Sequence, residues 1–387
     1  MNNKKLWEAQ KKALRDPREV WTFSEKSGGV HQQTLKYHAD KNFVELLASL
    51  GITLFISREY ENLLISIHSD GARLHQTYIP LAHPSGIACD RENRLMYVAS
   101  TRNPNIIYQF KSFGEAREKR SKHSHLFQNP MLVARKKYYP GMYYFHDLAL
   151  ISGKLYGNAV GMNGIVNINL NHHEPEQVTW HPKCTEDSKG FPKTDANYIQ
   201  LNSIASGRSL EESFFSASGE KISYRRPGHL NYPVDKRGVI ISGKTRNTLA
   251  RGLTRPHSAR LYKGKIWVAN SGYGEFGFIR GESFEPVIKL KGWTRGVCIH
   301  NNIAFVASSR IIPQYRHYAP GLQGVDDKCG LYAISLSSGK IVGKVMWPSG
   351  NQVFAIDYLS KKVTSGLLQK KIQENQNKFK LIAYNNN

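Results

Sequence analysis

The stretch RPHSARLYKGKIWVANSGYGEFG (residues 255–277) contains two short apolar runs on either side of a Lys-Gly pair. Runs of this length, rich in β-branched and aromatic residues and separated by turn residues, predict two antiparallel strands. His257 and Ser258 stand directly before the first strand. Whether the chain repeats this arrangement decides the fold.

The arrangement recurs. Related segments are HPSGIACDRENRLMYVAS from 83, FHDLALISGKLYGNAV from 145, LNSIASG from 201, WTRGVCIHNNIAFVASS from 293 and QVFAIDYL from 352. Each reads as the inner strand of one blade, and most continue through a turn into a second strand. The sequence therefore predicts an all-β fold, a six-bladed β-propeller.

The two ends of the propeller are incomplete by themselves. Three strand-like runs after Gly51 lack an inner strand, while FAIDYL (354–359) has no room after it for a blade. Pairing them gives a velcro-type ring closure that leaves no open sheet edge. We expect three regions: a short polar, helical N-terminal extension (1–42), the propeller (43–362) and a basic polar C-terminal tail (363–387).

The composition favours a folded, basic protein. Hydrophobic residues make up 40% of the 387 residues, and the formal net charge is +24. Such a charge indicates an anionic partner or simply a soluble, basic surface. Non-specific binding of anionic polymers is one expectation, and nucleic-acid association through the basic loop 111–141 is a weaker one. No apolar run approaches the roughly 18 residues of a spanning helix, so no membrane partner is expected.

The four cysteines form no CxxC pair or zinc-ribbon spacing. Cys89 and Cys298 lie within apolar runs and read as buried thiols. The pattern favours a reducing compartment, and we expect a cytoplasmic protein.

Several phrases resemble an uncharacterised bacterial β-propeller family that carries a domain of unknown function. They are YFHDLAL (144–150), LNSIA (201–205), LARGLTRPHSARLYKGKIWVANSGYGEFG (249–277), GWTRGVCI (292–299) and CGLYAISLSSGKIV (329–342). The resemblance extends over roughly positions 42 to 360. It implies a six-bladed fold and no settled activity.

Placing the six inner strands in register reveals a column, two positions before the first apolar pair, in which five of the six blades carry a hydrogen-bonding side chain. Its members are Ser85, His146, Asn202, His257, Arg295 and Phe354. Equivalent positions on inner strands lie on one ring at one mouth of the channel, so these side chains should converge. The following column is mostly small, which allows the strands to approach closely near the axis.

Two chemistries suit the converging side chains. His146 and His257, with His83 as a weaker third ligand, are candidates to bind a divalent metal such as Zn²⁺, Mn²⁺ or Ca²⁺. Without metal, the two imidazoles would act as general acid and base. Arg295 would clamp an anionic substrate or stabilise developing negative charge.

Asn202, Ser85 and Ser258 complete the predicted substrate-binding set, together with Arg295. The sequence has no P-loop or Rossmann fingerprint, so no nucleotide cofactor is expected. The long, Pro- and His-rich insertion 309–330 is of a length that is often functional.

Three functions remain open at this point. The first is an enzyme of the lyase, hydrolase or isomerase class that acts on a small or peptide-borne anionic substrate at the channel axis. The second is a non-catalytic propeller that binds a peptide or protein. The third is nucleic-acid association. Polar residues lining a channel can also do no more than hold water.

Overall fold

The computed structural model describes residues 30, 32–102, 105–113, 131–139, 141–171, 176–229, 231–311, 313–367 and three short pairs near the C-terminus, 369–370, 379–380 and 383–384. One α-helix, Lys41–Leu50 (α1), lies in these residues. The strands are His38–Ala39 (β1), Ile52–Arg58 (β2), Leu63–Ser69 (β3), Leu74–Pro80 (β4), Pro84–Asp90 (β5), Leu95–Ser100 (β6), Ile106–Phe113 (β7), Met131–Tyr138 (β8), Phe145–Ile151 (β9), Lys154–Ala159 (β10), Gly164–Asn167 (β11), Val178–Trp180 (β12), Leu201–Ala205 (β13), Phe214–Ala217 (β14), Gly238–Ser242 (β15), Thr248–Leu253 (β16), Pro256–Tyr262 (β17), Lys265–Asn270 (β18), Glu275–Arg280 (β19), Ser283–Lys289 (β20), Trp293–His300 (β21), Ile303–Ser309 (β22), Gly330–Ser335 (β23), Ile341–Met346 (β24), Ala355–Ser360 (β25), Gln369–Lys370 (β26), Phe379–Lys380 (β27) and Ala383–Tyr384 (β28).

Six antiparallel sheets form the blades of a β-propeller. Blades 1 to 5 follow the chain as β5–β8, β9–β12, β13–β16, β17–β20 and β21–β24, and blade 6 has the order β25-β2-β3-β4. The inner strands β5, β9, β13, β17, β21 and β25 each contact the next, and β25 contacts β5. The predicted six-bladed fold and its six inner strands are therefore confirmed.

Blade 6 combines both ends of the propeller. Strand β25 pairs with β2 in regular antiparallel register, from Ile52 opposite Ser360 to Ser57 opposite Ala355. Ile356 and Leu359 of β25 are buried. The apolar face of the late strand thus completes a core that the N-terminal strands cannot close alone.

The segment before blade 6 also packs on the propeller. Strand β1 extends the outer edge of blade 5, and α1 follows it. The Asp40 side chain accepts a hydrogen bond from the Phe43 amide and caps α1, and Gly51 ends it in the left-handed conformation. Phe43 and Leu47 are buried in the core. Residues 1–29 of the predicted helical N-terminal extension lie outside the described residues.

A β-bulge occurs in five of the six inner strands, at or directly after the column predicted from the sequence. In blades 1, 2, 4 and 5, three residue steps along the inner strand correspond to two along its neighbour, and in blade 3 two steps correspond to one. The extra residues lie at Ser85–Gly86, His146–Asp147, Asn202, Ser258–Ala259 and Arg295–Gly296. A bulge turns side chains out of the regular alternation and re-aims them. The bulges include the predicted column in blades 1, 2, 3 and 5, whereas His257 of blade 4 stays in register opposite Ala269, directly before its bulge.

The small residues of the next column permit close approach of neighbouring blades. A Cβ atom added at Gly86 would lie 2.5 Å from the Asp147 backbone of blade 2. Gly296 has a φ of +78°, a conformation that glycine adopts without strain. Both positions support the predicted crowding near the axis.

Candidate functional site

A cavity of about 510 Å³ lies at one mouth of the channel. His146 of blade 2, His257 of blade 4 and Arg295 of blade 5 all line it, as does Phe354 directly before β25. His146 and Arg295 lie within the bulges of their strands, and His257 directly precedes one. The structure therefore brings together the three residues to which the sequence assigned catalysis.

Arg295 is a buried guanidinium that faces the cavity. Its residue is 8% exposed, and its Cζ atom lies 3.2 Å from the centroid of the Phe354 ring. Among the described residues, no carboxylate or carbonyl forms an ion pair or hydrogen bond with it. Burial lowers the pKa of Arg295 to about 10, and the more distant Glu59 carboxylate partly opposes this shift. Its N–H donors remain available to a ligand.

His257 is held in one tautomer. Its Nδ1 atom lies 2.8 Å from the carbonyl oxygen of Arg255 and 3.0 Å from Oγ of Ser271. Because a carbonyl oxygen only accepts hydrogen bonds, Nδ1 carries the proton and Nε2 carries the lone pair. Burial, and then the Arg295 charge, holds the pKa of His257 well below its usual value. His257 is therefore a neutral imidazole with an unprotonated Nε2.

His146 is also neutral. Burial, followed by the charge of Arg295, holds its pKa well below the usual range, and the neighbouring Asn202 side chain acts in the opposite direction. Nδ1 of His146 and Oδ1 of Asn202 are both buried and have no hydrogen-bond partner among the described residues. The Asn202 Nδ2 atom donates to Ser218 Oγ and to the Pro256 carbonyl, both at 2.9 Å. Blades 3 and 4 thus position Asn202, which lies beside His146 and does not line the cavity.

The charge around the imidazoles is strongly positive. Among the described residues that line the cavity, Glu59 is the one carboxylate. The lining guanidiniums are Arg102, Arg226, Arg255, Arg295 and Arg310. Such a surface attracts anions and repels metal ions and ammonium groups. Among the described residues, no three His, Cys, Asp or Glu side chains are grouped as a metal site requires.

The remaining predicted residues lie outside the cavity lining. Ser85 is fully buried and donates its hydroxyl to the Phe145 carbonyl at 2.7 Å, which joins blades 1 and 2. Ser258 accepts from the Gly296 amide at 2.9 Å and joins blades 4 and 5. His83 lies at the start of blade 1, where burial lowers its pKa. These three residues hold or flank the inner strands and do not share the cavity with His146 and His257.

An ion pair lies beneath the site. Asp147 accepts from both terminal nitrogens of Arg260, at 2.8 and 3.2 Å, and also from the Ile204 amide. Arg260 further donates to the Val297 carbonyl at 3.0 Å. These bonds connect blades 2, 3, 4 and 5 across the axis. Asp147 therefore joins blade 2 to blades 3 and 4.

Two features of the site escaped the sequence analysis. Arg255 precedes the bulge of blade 4, and its Cζ atom lies 3.9 Å from the Tyr318 ring centroid. Tyr60, Tyr315 and Tyr318 form one side of the cavity, which we term the tyrosine wall. Tyr315 and Tyr318 belong to the insertion 309–330, whose length was the only available signal. Tyr60 follows β2 and carries no local signal at all.

A family model described as "Domain of unknown function (DUF4915)" matches residues 41–368. The chain belongs to this family. No curated protein sequence is similar enough to the DUF4915 chain to count as a match.

Several solved structures are similar to the DUF4915 propeller. One is a chain of a nidogen–laminin complex, with a TM-score of 0.52 and 8% identity over 81% of this chain and 99% of that one. Another is a gluconolactonase from Xanthomonas campestris, with a TM-score of 0.41 and 9% identity over 69% of this chain and 77% of that one. A third is a putative oxidoreductase from Thermus thermophilus, with a TM-score of 0.45 and 13% identity over 72% and 92%. The likeness to the first concerns the fold alone.

Within the part of the chain that the structure describes, no helix is both long and apolar enough to cross a bilayer.

Proposed function

We propose that the axial cavity binds a small or peptide-borne anion and that the protein acts on it as a lyase, hydrolase or isomerase. The observation that carries the proposal is Arg295, a buried guanidinium whose donors have no acceptor among the described residues. A buried charge without a partner is costly, and a bound carboxylate or phosphate would remove that cost. A guanidinium binds either group through two parallel hydrogen bonds.

His257 supplies a base beside this anion. Its Nε2 lone pair is fixed by the Nδ1 contacts, and the Arg295 charge keeps the imidazole unprotonated. A neutral imidazole accepts a proton but has none to give, so His257 fits the role of general base in the free protein. Neutralisation of Arg295 by the ligand would raise the pKa of His257, so that the imidazole becomes more basic when an anion is bound.

Proton removal next to a carboxylate is the step that this arrangement supports best. Arg295 would hold the carboxylate, and His257 would take a proton from the adjacent carbon or from a bound water. Lyase and isomerase reactions commonly begin with the first of these events. The positive cavity disfavours the divalent metal that two imidazoles suggested, so the proposal uses no metal.

Malonate tests both parts of the proposal, because it is an anion with exchangeable protons next to its carboxylates. In D₂O, proton NMR should show faster loss of the malonate CH₂ signal with the protein than without it. His257→Gln should abolish the acceleration and retain malonate binding, and Arg295→Leu should lose both. Binding with no acceleration in the wild-type protein would favour the alternative, a propeller that binds an anionic peptide or small molecule without catalysis.

A further inference from the structure

We propose that the anion bound in the axial cavity is a hydroxylated ring, a sugar that carries a carboxylate or a phosphate. The inference rests on the proposed function and deepens it by naming the class of ligand. Three properties of the cavity support it: its size, its tyrosine wall and the hydrogen-bond acceptors beside the guanidiniums.

The cavity is larger than an inorganic anion requires. Its volume of about 510 Å³ falls within the range of pockets that enclose ligands with a substantial body. Arg295 would fix the charged group at one place in this volume. The ligand must then carry a further group that fills the remaining space and displaces its water.

The tyrosine wall offers flat surfaces for a ring. Tyr60 and Tyr315 lie nearly parallel, with centroids 6.5 Å apart, and Tyr315 and Tyr318 follow with centroids 5.6 Å apart. All three rings are half-buried, so they are open to the cavity on part of their surface. The C–H faces of a sugar ring pack well on such aromatic surfaces through dispersion contacts. Arg255 covers part of Tyr318, and the neighbouring rings cover part of Tyr315, so the exposed parts of Tyr60 and Tyr315 are the main contacts.

Acceptors beside the anion site call for donors on the ligand. His257 Nε2 carries a lone pair, and Glu59 contributes the one carboxylate among the described lining residues. A Glu59 oxygen already accepts from the Thr101 hydroxyl at 3.1 Å, which holds the carboxylate in place. Ligand ammonium groups would be repelled by the surrounding guanidiniums, whereas hydroxyl groups donate without charge. A hydroxylated anion therefore matches both the positively charged guanidiniums and the hydrogen-bond acceptors of the site.

Calorimetric titration of the full chain with four probes tests the inference. Glucuronate and glucose 6-phosphate carry both a charge and hydroxyl groups, cyclohexanecarboxylate carries the charge and the ring alone, and glucose carries hydroxyl groups without charge. We expect one of the first two to bind at least about tenfold more tightly than cyclohexanecarboxylate, and glucose to bind more weakly than either. Which of the two binds more tightly identifies the anionic group as carboxylate or phosphate.

Variants assign the effect to the named residues. Tyr315→Ala should weaken binding of the preferred sugar by about tenfold, and Tyr315→Phe, which keeps the ring, should not. Equal affinities for cyclohexanecarboxylate and the charged sugars, both lost in Arg295→Leu, would overturn the sugar inference and leave the anion site standing. Anion binding that does not depend on Arg295 would overturn the proposed function as well.

Discussion

The guanidinium of Arg295 lies over the ring of Phe354, with 3.2 Å between Cζ and the ring centroid. The two residues occupy the same register position on the inner strands of blades 5 and 6. The ring covers one face of the guanidinium, excludes water from it and adds a cation–π attraction. The N–H donors at the edge of the guanidinium stay directed toward other partners, which suits binding of an anion in the plane of the group.

Acid should destabilise the protein through its buried histidines. An unfolded imidazole has a pKa near 6.5, and burial holds the pKa of His146 and His257 well below that value. Below pH 6.5 the unfolded chain therefore binds more protons than the folded one, and the free energy of unfolding falls as pH falls. We expect the contribution of each of the two histidines to rise toward about 1.4 kcal/mol per pH unit as the pH falls well below 6.5. Urea unfolding at several pH values between 7 and 5 measures the slope.

A matched pair of variants isolates this contribution. His257→Gln should reduce the slope, whereas His38→Gln, which removes an exposed imidazole, should leave it close to that of the wild-type protein. The slope will not vanish in the first variant, because other buried histidines, such as His68 with a pKa of about 4, also contribute. An unchanged slope in His257→Gln would contradict the neutral, buried state of this residue.

The ion pair beneath the site should matter for stability. Asp147→Ala leaves the Arg260 guanidinium buried between blades without its carboxylate, and we expect a loss of about 3–5 kcal/mol in the free energy of unfolding. Glu285→Ala removes a carboxylate from an exposed pair with Arg280 and should cost less than about 1 kcal/mol. Chemical denaturation of the two variants makes the comparison. Equal costs would show that Asp147 does not join the blades as described.

Strand β25 should be essential for folding. Deletion of residues 352–387 removes the inner strand of blade 6 and exposes the backbone of β2 and the apolar core beneath it. We expect this variant to lose cooperative unfolding, as followed by circular dichroism. Deletion of residues 371–387 alone, which keeps the buried Leu367, should preserve it. A cooperative transition near the wild-type melting temperature in the longer deletion would refute this role of β25.

Binding of anionic polymers should be non-specific and sensitive to salt. The net charge of +24 is spread along the chain, and counterions released from a polymer make such binding weaken steeply as salt rises. Fluorescence anisotropy with unrelated DNA duplexes should give similar affinities that fall together between low and physiological salt. Tight binding of one sequence that resists salt would instead favour nucleic-acid recognition as a function.

Repetition made the fold readable from the sequence. Most of the inner strands begin with a similar phrase, so the register of His146, His257 and Arg295 could be set from the sequence. Bulges include His146 and Arg295 and directly follow His257, and the glycine at position 86 meets the backbone of the next blade. Periodic local patterns therefore predicted both the architecture and the three residues that line the cavity together.

Features of the site that depend on contacts between blades could not be predicted from the repeated sequence pattern. Ser85 and Ser258 share the pattern of a binding residue, yet their hydroxyls hydrogen-bond to neighbouring inner strands. Arg255 and the tyrosine wall reach the cavity from a strand end, a turn and an insertion, none of which repeats between blades. A sequence register identifies positions on a ring, but it does not show where a side chain finds its partner.

Affinity for a simple anion tests the central claim most directly. Isothermal titration of inorganic phosphate and of malonate should show binding to the wild-type protein and to Arg280→Leu, which removes the same charge from an exposed position. Arg295→Leu should lose measurable binding, and Arg295→Lys should retain only a part of it, since an ammonium group cannot make the two parallel hydrogen bonds. Equal anion affinity in the wild-type protein and in a folded Arg295→Leu variant would contradict the account.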